Sequence, residues 1–220
     1  WNHPVWGFLS PAEFIPLFEK NGFITRLDRF VWEKACAVLH DWDERGYYPI
    51  SVSVNVSRAD IYNEDLADTL VKIIEKYDLA PSRLHLEITE SAYTENPKQI
   101  IDTVTILREL GFVIEMDDFG SGYSSLNMLG KMPVDILKLD MKFIQDEAAG
   151  PDDGGILHFI MELARWMDLS VVAEGVETRQ QLERLKKADC DYVQGYYFAR
   201  PMPINEFEEL LRNGHTAMEQ

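Results

Sequence analysis

Six short apolar segments recur along the chain, separated by longer amphipathic stretches, and each ends in a residue able to hold a metal ion or a phosphate. Ile50 to Asn55 (ISVSVN) alternates β-branched and small polar residues, the pattern of a half-buried strand. Arg83 to Thr89 (RLHLEIT), Phe112 to Asp117 (FVIEMD), Asp135 to Asp140 (DILKLD), Leu169 to Glu174 (LSVVAE) and Asp191 to Gln194 (DYVQ) read the same way. Helical periodicity lies between them. Asn63 is placed to cap a helix running toward Tyr77, and Gly111 follows one ending at Leu110. Further helices fit Ile156 to Met167, Thr178 to Ala188 and Ile204 to Arg212. A helix-rich region from Pro11 to Arg45 follows the turn-like HPVWGFLSP. Strand and helix in unbroken series predict a parallel α/β fold.

The strand ends carry Asn55, Glu87, Asp117 with Asp118, Lys138 with Asp140, Glu174 and Gln194. Carboxyl ends of parallel strands converge on one face, which in a (βα)₈ barrel is the active face. A doubly wound sheet would gather its ligands at one crevice between two strands. One or two polar strand ends would be unremarkable, and six favour a TIM-like (βα)₈ barrel. Such a barrel needs about eight strands, and only six are legible. The missing strands are expected before Trp1, so the chain reads as a barrel without its N-terminal strands.

Composition narrows the function. Hydrophobic residues are 46% and charged residues 27%, ordinary globular usage for a chain of 220 residues and one domain. No apolar run approaches the roughly 18 residues of a membrane helix. The 38 acidic and 21 basic residues leave a net charge of −17, which disfavours a grip on long nucleic acid. The acid excess reads as solvated surface unless carboxylates concentrate at one place. Two cysteines, Cys36 and Cys190, build no disulfide framework and read as buried small hydrophobes. The five histidines show no zinc spacing, and no signal peptide begins the chain, so a cytoplasmic setting is expected.

Asp117 and Asp118 are adjacent carboxylates before a turn-rich run, FGSGYSSL. Two anions about 4 Å apart repel by roughly 4 kcal/mol at an effective dielectric near 20, so a larger cluster needs cations. Hard oxygen donors without histidine or thiolate point to Mg²⁺ or Mn²⁺. Glu87, Asp117, Asp118 and Glu174 supply the negative charge for such ions, and Lys138 adds a compact positive charge for a water or a developing phosphorane. Asp118-Phe119-Gly120 matches the kinase triplet by chance, since no kinase catalytic loop precedes it. Gly120-Ser121-Gly122 is too short for a dinucleotide fingerprint. A purely structural alternative has the carboxylates paired with Lys138 and Arg83.

SVNVS, LEITE, DDFGSGYSSL, DILKLD, VVAEGVET and DYVQGYYFARP, in that order, resemble the EAL-domain cyclic di-GMP phosphodiesterases from Trp1 to about Leu211. The resemblance implies a domain over residues 1–212, with 213–220 as a tail. It implies Mg²⁺- or Mn²⁺-dependent hydrolysis of cyclic di-GMP to linear pGpG in bacterial second-messenger signalling. By matching motif, Asn55, Glu87, Asp117, Asp118 and Glu174 would hold metal, with Glu174 also a candidate base and Lys138 holding the water. Gln194 would line the site, Glu90 would pin the loop after Asp118, and Glu177 would support the substrate end. Ser121 stands where threonine is common and keeps the hydroxyl. The family's Glu-Ala-Leu motif belongs just before Trp1 and is not in the chain, so the chain alone is expected to show weak or no activity. The alternative is an inactive receptor that binds cyclic di-GMP and signals to a partner. The resemblance further implies a homodimer formed beside Phe119 to Leu126 and fusion to sensory or cyclase modules, with any membrane anchor outside the chain. Gln145 to Gly155 reads as a surface loop, and HTAMEQ as an exposed tail.

Overall fold

Neighbouring residues of a strand point to opposite sides of its sheet, and burial from Leu84 to Thr89 alternates by that rule. The computed structural model describes residues 1–94, 96–120, 129–140 and 155–213. A hairpin of β1 (Asn2–His3) and β2 (Gly7–Phe8) precedes helices α1 (Pro11–Asn21) and α2 (Ile24–Glu44). Then follow β3 (Val52–Asn55), α3 (Arg58–Ile61), α4 (Leu66–Lys76), β4 (Leu84–Thr89), α5 (Pro97–Glu109) and β5 (Val113–Phe119). The chain continues through β6 (Ile136–Leu139), α6 (Ile156–Trp166), β7 (Ser170–Ala173), α7 (Arg179–Lys187), β8 (Tyr192–Val193) and α8 (Ile204–Asn213).

The six segments read as strands are the six strands of one parallel sheet, in the spatial order β3-β4-β5-β6-β7-β8. Sequence order equals spatial order, so no reversal of strand order creates the crevice of a doubly wound fold. The helical layer also meets itself. Trp42 of α2 packs on Phe207 of α8 with ring centroids 5.8 Å apart, and its Nε1–H donates to Glu208 at 3.1 Å. Arg45, just after α2, pairs with Glu208 at 2.7 Å. The element before the first strand of the sheet thus touches the element after the last, as a TIM-like α/β fold requires.

Apolar residues on the helix side form the core: Leu84, Leu86 and Ile88 of β4 and Ile114 and Met116 of β5 pack with Leu70, Ile100, Val104 and Leu107 of the helices. Carboxylates start two of the strands. Asp135 accepts the Ile114 N–H at 2.9 Å, and Asp191 accepts the Val171 N–H at 2.8 Å. Each thereby continues the ladder below the first paired residues.

Several boundaries differ from the sequence reading. Asn63 does not cap α4; its Oδ1 accepts the Asp65 N–H at 3.0 Å in a turn, and Asp65 becomes the cap position. The side chain serves the nearest free N–H, two residues on, instead of the helix. The turn-like start contains the hairpin β1–β2, and β5 runs two residues beyond Asp117, to Phe119. Gly111 does follow α5, at φ +94°, donating its N–H to Arg108. Of the two cysteines, Cys36 is buried and Cys190 is partly exposed. The loop from Gln145 to Gly155 lies almost wholly outside the described residues, as do Ser121, Gly122 and the end of the tail.

Candidate metal and phosphate site

The face opposite the core gathers the charged residues. Asn55 ends β3 in register with Glu87 of β4, and Thr89, two residues on, is in register with Asp117 of β5. The parallel ladder then runs past two strand ends. The Glu174 N–H donates to Leu139 O at 3.1 Å, and the Gln194 N–H donates to Ala173 O at 2.8 Å. Both residues are therefore held at the carboxyl edge although neither belongs to its strand.

Lys138 is the centre of this edge. Its Nζ lies 2.6 Å from Glu87 Oε1, 2.7 Å from Glu174 Oε1 and 3.3 Å from Asp117 Oδ1, and the residue is only 4% exposed. Burial disfavours its charge, but Glu87, Glu174 and Asp117 outweigh that and hold the ammonium proton more tightly than usual. Glu87 and Glu174 are pushed above the ordinary carboxylate range by burial. Lys138 opposes that shift, and Asp117 adds to it in both. Arg83, the other cation considered, is elsewhere: it pairs with Asp43 at 2.9 Å and donates to Ile50 O. Arg83 is therefore paired away from these carboxylates, and among the described residues Lys138 is the cation that joins them.

Two successive aspartates in a regular strand would point to opposite faces. Here the β5–β6 register shifts between Met116 and Phe119, and Asp118 takes φ +57°. The bulge breaks the alternation at the adjacent pair Asp117 and Asp118. The Asp118 N–H donates to Asp117 Oδ1 at 2.9 Å, which fixes that carboxylate. Glu90 lies on the turn after β4, is 7% exposed and accepts the Gly120 N–H at 3.4 Å, tying down the backbone beyond Asp118. Gln194 and Asn55 are exposed at the rim. Glu177 lies apart, exposed before α7, with its N–H donating to Gln181 at 2.8 Å. Gly195 permits the close approach of the two last loops, because a Cβ there would collide with the backbone of Val176.

The donor chemistry fits divalent cations that prefer oxygen. Glu87, Asp117 and Glu174 share one ammonium, so three formal negative charges face one positive. Among the described residues, no three His, Cys, Asp or Glu side chains are already disposed around a common cation position, because Lys138 occupies the middle. Sequence reasoning missed Glu115, a buried carboxylate on the same face. The period-two pattern that placed Glu87 and Asp117 also places Glu115, two residues before Asp117.

An EAL domain family model matches residues 1–201. A cyclic di-GMP phosphodiesterase, NbdA, of Pseudomonas aeruginosa is 43% identical over 212 residues, covering 96% of this chain and 27% of that protein. The bifunctional diguanylate cyclase/cyclic di-GMP phosphodiesterase MucR of the same organism is 36% identical over 206 residues, 94% of this chain and 30% of that protein. The solved MucR phosphodiesterase in complex with c-di-GMP superposes with a TM-score of 0.87, covering 94% of this chain and 84% of that one. The chain belongs to the EAL domain family. It spans under a third of the length of these curated relatives.

Proposed function

We propose that this chain is the catalytic domain of a cyclic di-GMP phosphodiesterase that hydrolyses one phosphodiester of the ring to give linear pGpG, with Mg²⁺ or Mn²⁺. The observation that carries this reading is the buried Lys138 ammonium within 3.3 Å of three carboxylates at the carboxyl edge of the sheet. The names of the relatives support the substrate.

Asn55, Glu87, Asp117, Asp118 and Glu174 would hold the divalent ions. Bound there, the ions supply Lewis-acid polarisation of the phosphoryl oxygens and a more acidic water. Glu174, raised in pKa chiefly by burial, suits a group that takes a proton from that water. Lys138 keeps its proton and serves as a fixed positive charge toward the attacking water or the crowded phosphorus. Glu90 acts on the backbone, holding Gly120 so that Asp118 keeps its unusual conformation. Gln194 and Glu177 would meet the nucleotide at the rim. We further propose that the domain works inside a longer signalling protein, in the cytoplasm and as a homodimer, with sensory or cyclase modules attached.

Incubating the full-length protein, with the segment before Trp1 included, with Mg²⁺ and cyclic di-GMP and following products by chromatography tests the reading. Accumulation of pGpG is expected. Binding of cyclic di-GMP with no pGpG after hours would replace this reading with that of a receptor, and neither binding nor product would overturn both.

A further inference from the structure

Beside the residues assigned above lies a trio that the proposed mechanism does not use. Glu115 is 3% exposed and stands in direct register with Glu87 on the neighbouring strand. Its Oε1 accepts the Ser53 hydroxyl at 3.0 Å and lies 2.7 Å from His85 Nδ1. Ser53 is two residues before Asn55, His85 two before Glu87, and Glu115 two before Asp117. Period-two alternation therefore puts the trio on the same face as the site, one pleat deeper.

Burying a carboxylate is costly unless it is hydrogen-bonded or faces positive charge. The hydroxyl and the imidazole meet the first need. Glu115 thus adds a fourth carboxylate, on the same face, to the three that share Lys138. That arrangement is favourable when divalent cations sit in front of it.

We infer that Glu115, held by Ser53 and His85, is a positioning residue that deepens the divalent-cation site by placing a fixed negative charge beside Glu87. The inference rests on the site being the metal site proposed above. The charge acts through space and through the orientation of Glu87, and Glu115 itself contacts neither ion nor substrate. An outer carboxylate of this kind typically changes metal affinity by about 10- to 100-fold.

Manganese alone is the probe. Titration of the purified protein with Mn²⁺ at pH 8 without nucleotide, followed by calorimetry or by the free-Mn²⁺ paramagnetic resonance signal, reads the affinity directly. E115Q is expected to weaken Mn²⁺ binding about tenfold or more. E115D keeps the charge and is expected to recover most of the affinity. Wild-type affinity in E115Q, or equal weakening in E115Q and E115D, overturns the inference. If the wild-type protein binds no Mn²⁺ at this site, the metal reading and the inference fall together, whereas tight wild-type binding with an unaffected E115Q sinks the inference alone.

Discussion

On β4, Leu84, Leu86 and Ile88 are fully buried against the helices, while His85, Glu87 and Thr89 keep partial exposure on the opposite face. On β5, Ile114 and Met116 are sealed in the core, and Glu115 and Asp117 join the charged layer. One strand thus serves two environments that differ in what holds them together. The helix side is held by close packing of apolar surface, whose loss leaves a cavity. The charged side is held by Lys138, which offsets repulsion among carboxylates that burial already penalises. Damage to the first is a packing loss that no ligand can repair. Damage to the second is a charge imbalance that a divalent cation should repair.

Lys138→Met breaks the comparison most severely. It leaves Glu87, Asp117 and Glu174 facing one another, and removing one partner from a buried ion cluster costs about 3–5 kcal/mol. Urea unfolding should show that loss in EDTA, and millimolar Mn²⁺ should restore much of it. Equal midpoints for mutant and wild type in EDTA would deny Lys138 this role. Ile114→Ala is the matched change on the other face, expected to cost about 2–5 kcal/mol by cavity formation. Mn²⁺ should raise wild type and I114A by similar amounts, leaving the difference between them unrepaired.

A pH-dependent effect comes from a carboxylate outside both layers. Asp28 of α2 accepts the Ser57 N–H at 3.1 Å and lies beside the buried Asp60; burial raises its pKa from 3.8 to about 7. A raised folded-state pKa means that the folded protein holds a proton which the unfolded chain releases. Stability should therefore fall as pH rises from 3.8 to about 7. Asp28→Asn should flatten that part of the pH dependence, measurable as melting temperature against pH. An unchanged slope would remove Asp28 as its source.

Period-two alternation makes most of this legible in the sequence itself. SVSVN, LHLEIT and LKL announce their strands because β-branched and apolar residues alternate with polar ones over several positions. The same rule assigns Glu87 and Lys138 to the charged face. It fails at Asp118, because a bulge reverses the side to which a residue points and leaves no signal in residue type. The hairpin at Asn2–His3 and Gly7–Phe8 is too short to carry a pattern. Glu174 and Gln194 were readable as strand ends although each lies just past its strand, since backbone hydrogen bonds continue the ladder to them. The fusion partners and dimer contacts expected from the family resemblance have no such local signature, because they depend on surfaces and segments that alternation does not describe.

On the proposed reading, the charged face serves metal-assisted phosphodiester hydrolysis. The most direct test compares wild type with Asp117→Asn in the full-length protein at saturating Mn²⁺, reading pGpG formation and the cooperative thermal transition on the same samples. Asp117→Asn keeps the shape of the side chain and removes one charge from the cluster around Lys138. The account predicts a loss of turnover on the order of 100-fold or more with the transition retained. Wild-type turnover in a folded Asp117→Asn protein would contradict it.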